Sequence, residues 1–444
     1  MAVRFLPATL KSRLALAGTL ATMYIFISTV YLGHNLNPFS ATRKDDMVEI
    51  PLQEKERLAL NGTATSPQAQ DTTSNNAEGN SESKLPSTLL VSAVFPLEKT
   101  KYPKSKYDEW LKYYLDSITT DIYMYTTPEM APQFEALRRE GLTISIDTSY
   151  TTLFEIPPLK GKEELYLRIQ KKDRERGRHS NVTDLYAVRN SKLYFVHHAL
   201  EVQKTKGVVY DYAFWNDPGS FRKEEHQYRY WPSPLKVVEL WDEGSRLTGT
   251  NKDDLIFVPI FDVPHSSLSM WTENMGPIDS KLSEGSFFGG SPNAIDWFAR
   301  AFYVYHDRYL SLELFIGKDT SLINTLMFLF PERFITVWHN DPDAPTHLAL
   351  NRTNPEDSFL GQCGSVWHYY QFWLSDAATK ESMRDLWIKK ATQWHLWGWW
   401  RSADKTRCQD TRVLNINNVL KKNLGAGWHA PGHGTSIPPR VIWT

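Results

Sequence analysis

The sequence predicts an α/β protein: a central, mostly parallel sheet with helices on both faces, preceded by a single N-terminal transmembrane helix. Three observations carry this reading. Between Leu89 and Ile146, short apolar runs alternate with helical periods, the pattern of βαβ units. The alternation resumes between Asp184 and Val337. Near the N-terminus, Leu14–Gly33 is a run without charge, long enough at about 1.5 Å per residue to cross the ~30 Å hydrocarbon layer of a bilayer.

Arg4, Lys11 and Arg13 precede that run with no acid among them, so residues 1–13 are expected to be cytosolic and residues 14–33 to form a signal anchor. The apolar core of a cleaved signal peptide is shorter. Everything beyond is then lumenal, which predicts a single-pass type II protein of the Golgi (or ER) membrane. Residues 34–86 include TATSPQAQDTTSNNAEGNSESK, which has no apolar period and reads as a disordered stem. Hydrophobic residues make up 41% of the chain, enough for a sizeable core beyond that stem. Lys and Arg number 50 against 51 Asp and Glu, with no basic block, which argues against a nucleic-acid partner.

Residues 87–350 read as the main domain. Leu89–Phe95 is a buried strand by composition, Tyr107–Ile118 an amphipathic helix, and Ile122–Thr126 a second strand. Pro128 is expected to open a helix through Arg139, with Pro in the first turn, and Leu142–Ile146 is a third strand. A long helix is predicted over Asp184–Lys204, followed by a strand over Val208–Trp215 that ends in the turn Asn216-Asp217-Pro218-Gly219. Leu255–Phe261 reads as a strand, and Ser286–Gly290 as a glycine lead into a helix from Pro292 to Tyr309. Asp319–Phe328 is a helix and Phe334–Val337 a strand. Residues 351–444 differ: they carry a Trp-rich stretch, Trp387–Trp400, and a Gly/His/Pro tail, and read as an extension packed on the domain.

Ligands of open α/β sheets bind at the carboxyl ends of strands. Asp217 is the best-placed carboxylate by that rule: a hard oxygen ligand for a divalent metal, with Asn216 beside it. The alternative is a turn residue bonding locally. Gly289 and Gly290 permit close backbone approach to a ligand, or serve as a turn into the next helix. Lys318 and Asp319 open a helix: Asp319 is a base or substrate-binding group if it faces a cleft and an N-cap if it does not, and Lys318 neutralises phosphate or is solvated. His339 follows the last strand and is a candidate metal ligand, with His429 and His433 in the tail behind it. The Trp394–Trp400 cluster stacks on a glycan or packs the extension. Asn61, Asn181 and Asn351 open N-glycosylation triplets, and Cys363 and Cys408 are candidates to pair in an oxidising lumen.

Taken in order, Leu89–Phe95, Ser191-Lys192, Phe214-Trp215-Asn216-Asp217-Pro218-Gly219, Gly285-Ser286-Phe287-Phe288-Gly289-Gly290, and Lys318-Asp319-Thr320 with Phe330-Pro331-Glu332-Arg333-Phe334 resemble the bacterial HtrL/YibB-type family. That family in turn resembles nucleotide-sugar glycosyltransferases of the GT-A fold. The resemblance implies a GT-A-like catalytic domain that transfers a sugar from a nucleotide sugar to a glycan or glycoprotein acceptor. It implies Asp217 and His339 on a divalent metal, Mn2+ by preference. Lys192, Asn216, Gly289, Gly290 and Lys318 would lie around the donor, with Asp319 as the catalytic group. Two departures stand out: Asn216 replaces one carboxylate of an Asp-x-Asp pair, and Thr320 stands where Gln is common. The rival reading is a lumenal glycan-binding or accessory protein that has lost turnover. A hydrolase is disfavoured because no Gly-x-Ser-x-Gly elbow is present.

Overall fold

The computed structural model describes residues 85–97, 102–173, 183–222, 228, 230–344, 366–393 and 410–441, though not the side chains of 366 and 386–393. The chain divides into two units, Met1–Asn80 and Ser81–Thr444, and every described residue belongs to the second. The expected membrane anchor over 14–33, the stem up to residue 84, Asn61, Asn181, Asn351, Cys363, Cys408 and Trp394–Trp400 lie outside the described residues. Among those described, no helix is long and apolar enough to cross a membrane.

Strands and helices alternate from the start: β1 (Thr88–Val94), α1 (Lys104–Ser117), β2 (Asp121–Thr126), α2 (Ala131–Leu137), β3 (Ile144–Asp147), α3 (Glu163–Gln170), α4 (Thr183–Thr205) and β4 (Tyr212–Asn216). Then come α5 (Pro234–Thr248), β5 (Ile256–Phe257), β6 (Phe287–Gly290), α6 (Pro292–Ser311), α7 (Asp319–Leu329) and β7 (Phe334–Val337). The chain closes with α8 (Tyr370–Trp373), α9 (Ala377–Gln393), β8 (Val413–Asn415) and α10 (Ile416–Leu424). One 8-stranded sheet holds all the described strands, in the order β3-β2-β1-β4-β6-β5-β7-β8.

Side chains alternate across this sheet as the period of 2 requires. Leu89, Val91 and Ala93 of β1 face a core built with α4, α6 and α7. Leu90, one position out of phase, faces a second core with Leu111 and Leu115 of α1 and with Leu240 and Trp241 of α5. With both faces covered, β1 is buried along nearly its whole length and apolar apart from Thr88 and Ser92, as expected for a buried parallel strand. The parallel half, β3-β2-β1-β4, is the one legible as βαβ units.

The other half is mixed. β6 pairs antiparallel with both β4 and β5, and β8 antiparallel with β7, so the mostly parallel expectation gives way to a mixed sheet. Ser286–Gly290 is therefore not a lead-in turn but mostly an interior strand, Phe287–Gly290. Several bounds also shift. The second helix starts at Ala131 because Met130 N–H and Ala131 N–H both bond back to Thr127 O in a turn. β4 starts at Tyr212, since Val208 and Val209 are exposed. β5 stops at Phe257, and Pro259, with no N–H to give, precedes an isolated bridge at Ile260. The segment read as an extension supplies β8 to the sheet, while Tyr370, Phe372 and Trp373 enter the second core.

Arg138, just beyond α2, ties the first units together. Its buried guanidinium donates to Leu115 O at 2.9 Å, Ile118 O at 2.6 Å, Thr120 O at 2.9 Å and Thr143 O at 3.0 Å. Arg138→Leu leaves these carbonyls without that donor and is expected to cost about 2–3 kcal/mol in denaturant unfolding. Lysine cannot span the fork, so Arg138→Lys should recover less than half of the loss. Wild-type stability in either variant would show that water replaces the bonds at no cost.

Candidate functional site

The chemistry gathers at the carboxyl end of β4, where that strand meets the start of β6. Ser92 of β1 donates its hydroxyl to Asn216 O at 2.6 Å, and Asp217 N–H donates to Ser286 O at 2.8 Å, so the turn after β4 is held from both sides. At its centre lies Lys192, from the middle of α4. Its ammonium is 3.0 Å from Asp217 Oδ1 and 2.9 Å from Asp319 Oδ2, and it donates to Gly285 O at 2.8 Å. The Trp215 ring lies 5.5 Å from it, and the Trp215 indole N–H donates to Asp217 Oδ1 at 2.7 Å. Burial works against the charge of Lys192, but the Asp217 and Asp319 carboxylates outweigh it and hold its pKa above the ordinary value.

Access divides the cluster. The side chains of Lys192 and Asp319 are 8% and 7% exposed, whereas that of Asp217 is 37% exposed. A ligand reaches Asp217 first. Asp319 is the first residue of α7, where a carboxylate is favoured by the helix dipole, and its side chain turns onto Lys192 instead of capping the helix. Gly285 makes this approach possible: a β-carbon there would lie 2.7 Å from Thr320 Cγ2 and 3.1 Å from Asp319 Oδ2.

Other expected site residues are placed differently. Asn216 is fully buried; its amide donates to Asp217 O at 3.1 Å and its oxygen accepts from Ser220 at 3.2 Å, so it latches the turn instead of facing a donor. Gly289 and Gly290 are buried strand residues, not the lining of a sugar site. Phe214 lies over Gly289 and stacks on Phe287 at 5.1 Å, filling the space a side chain would take. Lys318 bonds Asp279 at 3.0 Å. His339 is buried against the rings of Phe261 and Tyr369, and burial pushes its pKa down to about 4. In the tail, His433 packs 4.7 Å from Phe330, and His429 is exposed.

A protein-held metal centre does not fit these residues. Among the described residues no group of three or more His, Cys, Asp or Glu could hold an ion. The cation lying between Asp217 and Asp319 is the Lys192 ammonium itself, and His339 has its own aromatic niche.

Two further groups face the site. Glu284 is half-buried, and burial raises its carboxyl to about 7; the charge of Asp217 adds to the rise, while hydrogen bonds from Ser286 and the charge of Lys192 oppose it. His368 is buried, with its pKa pushed down to about 3 by burial, next by the charge of Arg222, against a weaker pull from Asp217. Glu284 carries no distinguishing sequence signal beyond its place before Gly285, and His368 none at all.

No family model and no curated protein matches the chain. Solved structures to which it is similar include core-mannan synthase A (CmsA/Ktr4) from Aspergillus fumigatus in its Mn/GDP form. The identity is 12%, over 62% of this chain and 80% of that one, with a TM-score of 0.34. A second is the mannosyltransferase Ktr4p from S. cerevisiae in complex with GDP, at 11% identity over 43% of this chain and 44% of that one, with a TM-score of 0.25. Likeness at these TM-scores carries no functional argument.

Proposed function

We propose that this is a nucleotide-sugar-dependent glycosyltransferase, with the donor seated over Asp217 and Lys192. The observation that supports it most is the Lys192 ammonium paired with two carboxylates at the carboxyl end of β4. A nucleotide sugar offers both complements of such a cluster. Its hydroxyls are donors for the exposed Asp217 carboxylate, which has acceptor capacity beyond its Lys192 and Trp215 bonds. Its diphosphate gains negative charge as the sugar leaves, and a fixed cation already in place stabilises that charge without reorganising. Asp319 holds Lys192 in position and acts on the substrate through it. A divalent ion such as Mn2+ is, in this reading, a companion of the donor's diphosphate and not a resident of the protein. The HtrL/YibB-type resemblance, a glycan or glycoprotein acceptor, and a type II anchor in the Golgi (or ER) membrane complete the proposal.

The test is a thermal-shift panel of UDP- and GDP-linked sugars, with and without manganese. A ligand at 100 times its Kd adds about 2.7 kcal/mol, a shift of several degrees. Asp217→Asn is expected to keep the unliganded Tm within about 2 °C, because an amide oxygen can still accept from Lys192 and Trp215, and Asp319 still neutralises the ammonium. It should abolish the donor shift. If no nucleotide sugar moves the Tm of the parent, or if Asp217→Asn binds as the parent does, this site is not the donor site. A second reading, a binder without turnover, draws on the occupation of both Asp217 and Asp319 by Lys192. Donor binding without release of nucleoside diphosphate would favour it.

A further inference from the structure

We propose that Glu284 is the general base that takes the proton from the acceptor hydroxyl. The inference rests on the glycosyltransferase reading and adds the residue that activates the acceptor. Three consecutive residues just before β6 border the site. Gly285 gives its carbonyl to Lys192, Ser286 gives its carbonyl to the Asp217 N–H, and the Glu284 carboxyl bonds the Ser286 N–H and feels the charges of Asp217 and Lys192. The Glu284 backbone is pinned by its N–H to Pro259 O at 2.8 Å, and its Oε1 accepts the Ser286 N–H at 3.2 Å. The carboxyl is thus held in place in a mostly buried setting.

The other two carboxylates are poorly suited to the task. Asp217 and Asp319 both lie within 3.0 Å of the Lys192 ammonium, so each already has an oxygen engaged by that cation. Glu284 has no ion pair among the described residues. The charged and titratable groups facing it are Asp217 from β4, Lys192 from α4, and the hydroxyls of Tyr369 and Tyr370 at the start of α8. Burial and the charge of Asp217 raise its carboxyl to about 7, the region in which a base is most effective at neutral pH.

The acceptor O–H proton passes to a Glu284 oxygen as the acceptor oxygen bonds to the anomeric carbon. The bond from that carbon to the diphosphate oxygen breaks, its electron pair leaving with the nucleoside diphosphate. Glu284 then releases the proton to solvent.

Water is an acceptor present in every assay, so the probe is release of nucleoside diphosphate from the UDP- and GDP-linked sugars by the full-length protein. In the parent, the rate should rise with pH through about 7 and then level off. Glu284→Gln should keep the donor-induced Tm shift, lose about 10²–10⁴-fold in rate, and lose the pH limb. Glu284→Asp should restore part of the rate. Folding is checked in the same samples. A raised carboxyl stabilises the fold below its unfolded pKa and loses that contribution as pH rises through about 7. Glu284→Gln should therefore be at least as stable as the parent at pH 8 (about one unit above that value). A variant that releases diphosphate at the parent's rate, or that loses donor binding and rate together, overturns the assignment. A parent that binds a nucleotide sugar and releases nothing also overturns it, while leaving the donor site standing. A parent that binds none removes both.

Discussion

Lys192→Met is expected to cost about 3–5 kcal/mol of stability, a fall in Tm on the order of 10 °C. Methionine fills much the same volume, so the loss measures charge and not packing. Without the ammonium, Asp319 is a carboxylate of 7% exposure, and among the described residues no other cation pairs with it or with Asp217. Breaking one partner of a buried pair is more costly than removing the pair, because the survivor keeps its desolvation penalty. Lys192→Met combined with Asp319→Asn should therefore recover at least half of the loss. Donor binding should remain absent, since the fixed cation is gone. Chemical denaturation of the parent, the single variant and the double variant measures this directly. A single variant within about 1 kcal/mol of the parent would mean that the cluster is solvated and its members act independently.

Gly289→Val should be comparably damaging for a different reason. A β-carbon at this position would stand 2.5 Å from Ala213 O and 2.7 Å from Phe214 Cγ. Ala213 O belongs to the adjacent strand, where Ala213 and Phe214 face Gly290 and Gly289, so relief requires β4 and β6 to separate. Overpacking a core costs about 1–3 kcal/mol where side chains can yield, and a backbone collision lies at or above the top of that range. The expected result is a loss of about 3 kcal/mol or more, or insoluble protein. Gly432→Ala, with nothing within 4 Å of its would-be β-carbon, should leave the Tm unchanged. Were Gly289 the lining of a sugar pocket, its substitution would lower donor affinity and spare stability, the opposite pattern.

The two substitutions mark different degrees of legibility. The position of Asp217 at the end of a strand follows from local pattern, and so does that of Asp319 at the start of a helix. Phe334–Val337 has the same bounds in sequence and structure. Glycines in β6 concealed a strand, because two adjacent glycines carry no period and imitate a turn. A strand as short as Val413–Asn415 has too few residues to show any alternation. Lys192 in the middle of a long helix looks like any solvated lysine, and only the resemblance singled it out.

From the chain alone follow the βαβ units, because a strand buried on both faces is mostly apolar and a crossover helix must show one apolar stripe. The same reasoning brings carboxylates to strand and helix ends, where turns demand polar residues. What α4 lies against, and that its lysine therefore reaches Asp217 and Asp319 across long stretches of sequence, was decided only in three dimensions. So were the antiparallel insertion of β6 and the setting of Glu284. Pairing partners and burial are properties of distant segments meeting, and the proton affinity of a carboxyl depends on those neighbours more than on its place in the chain.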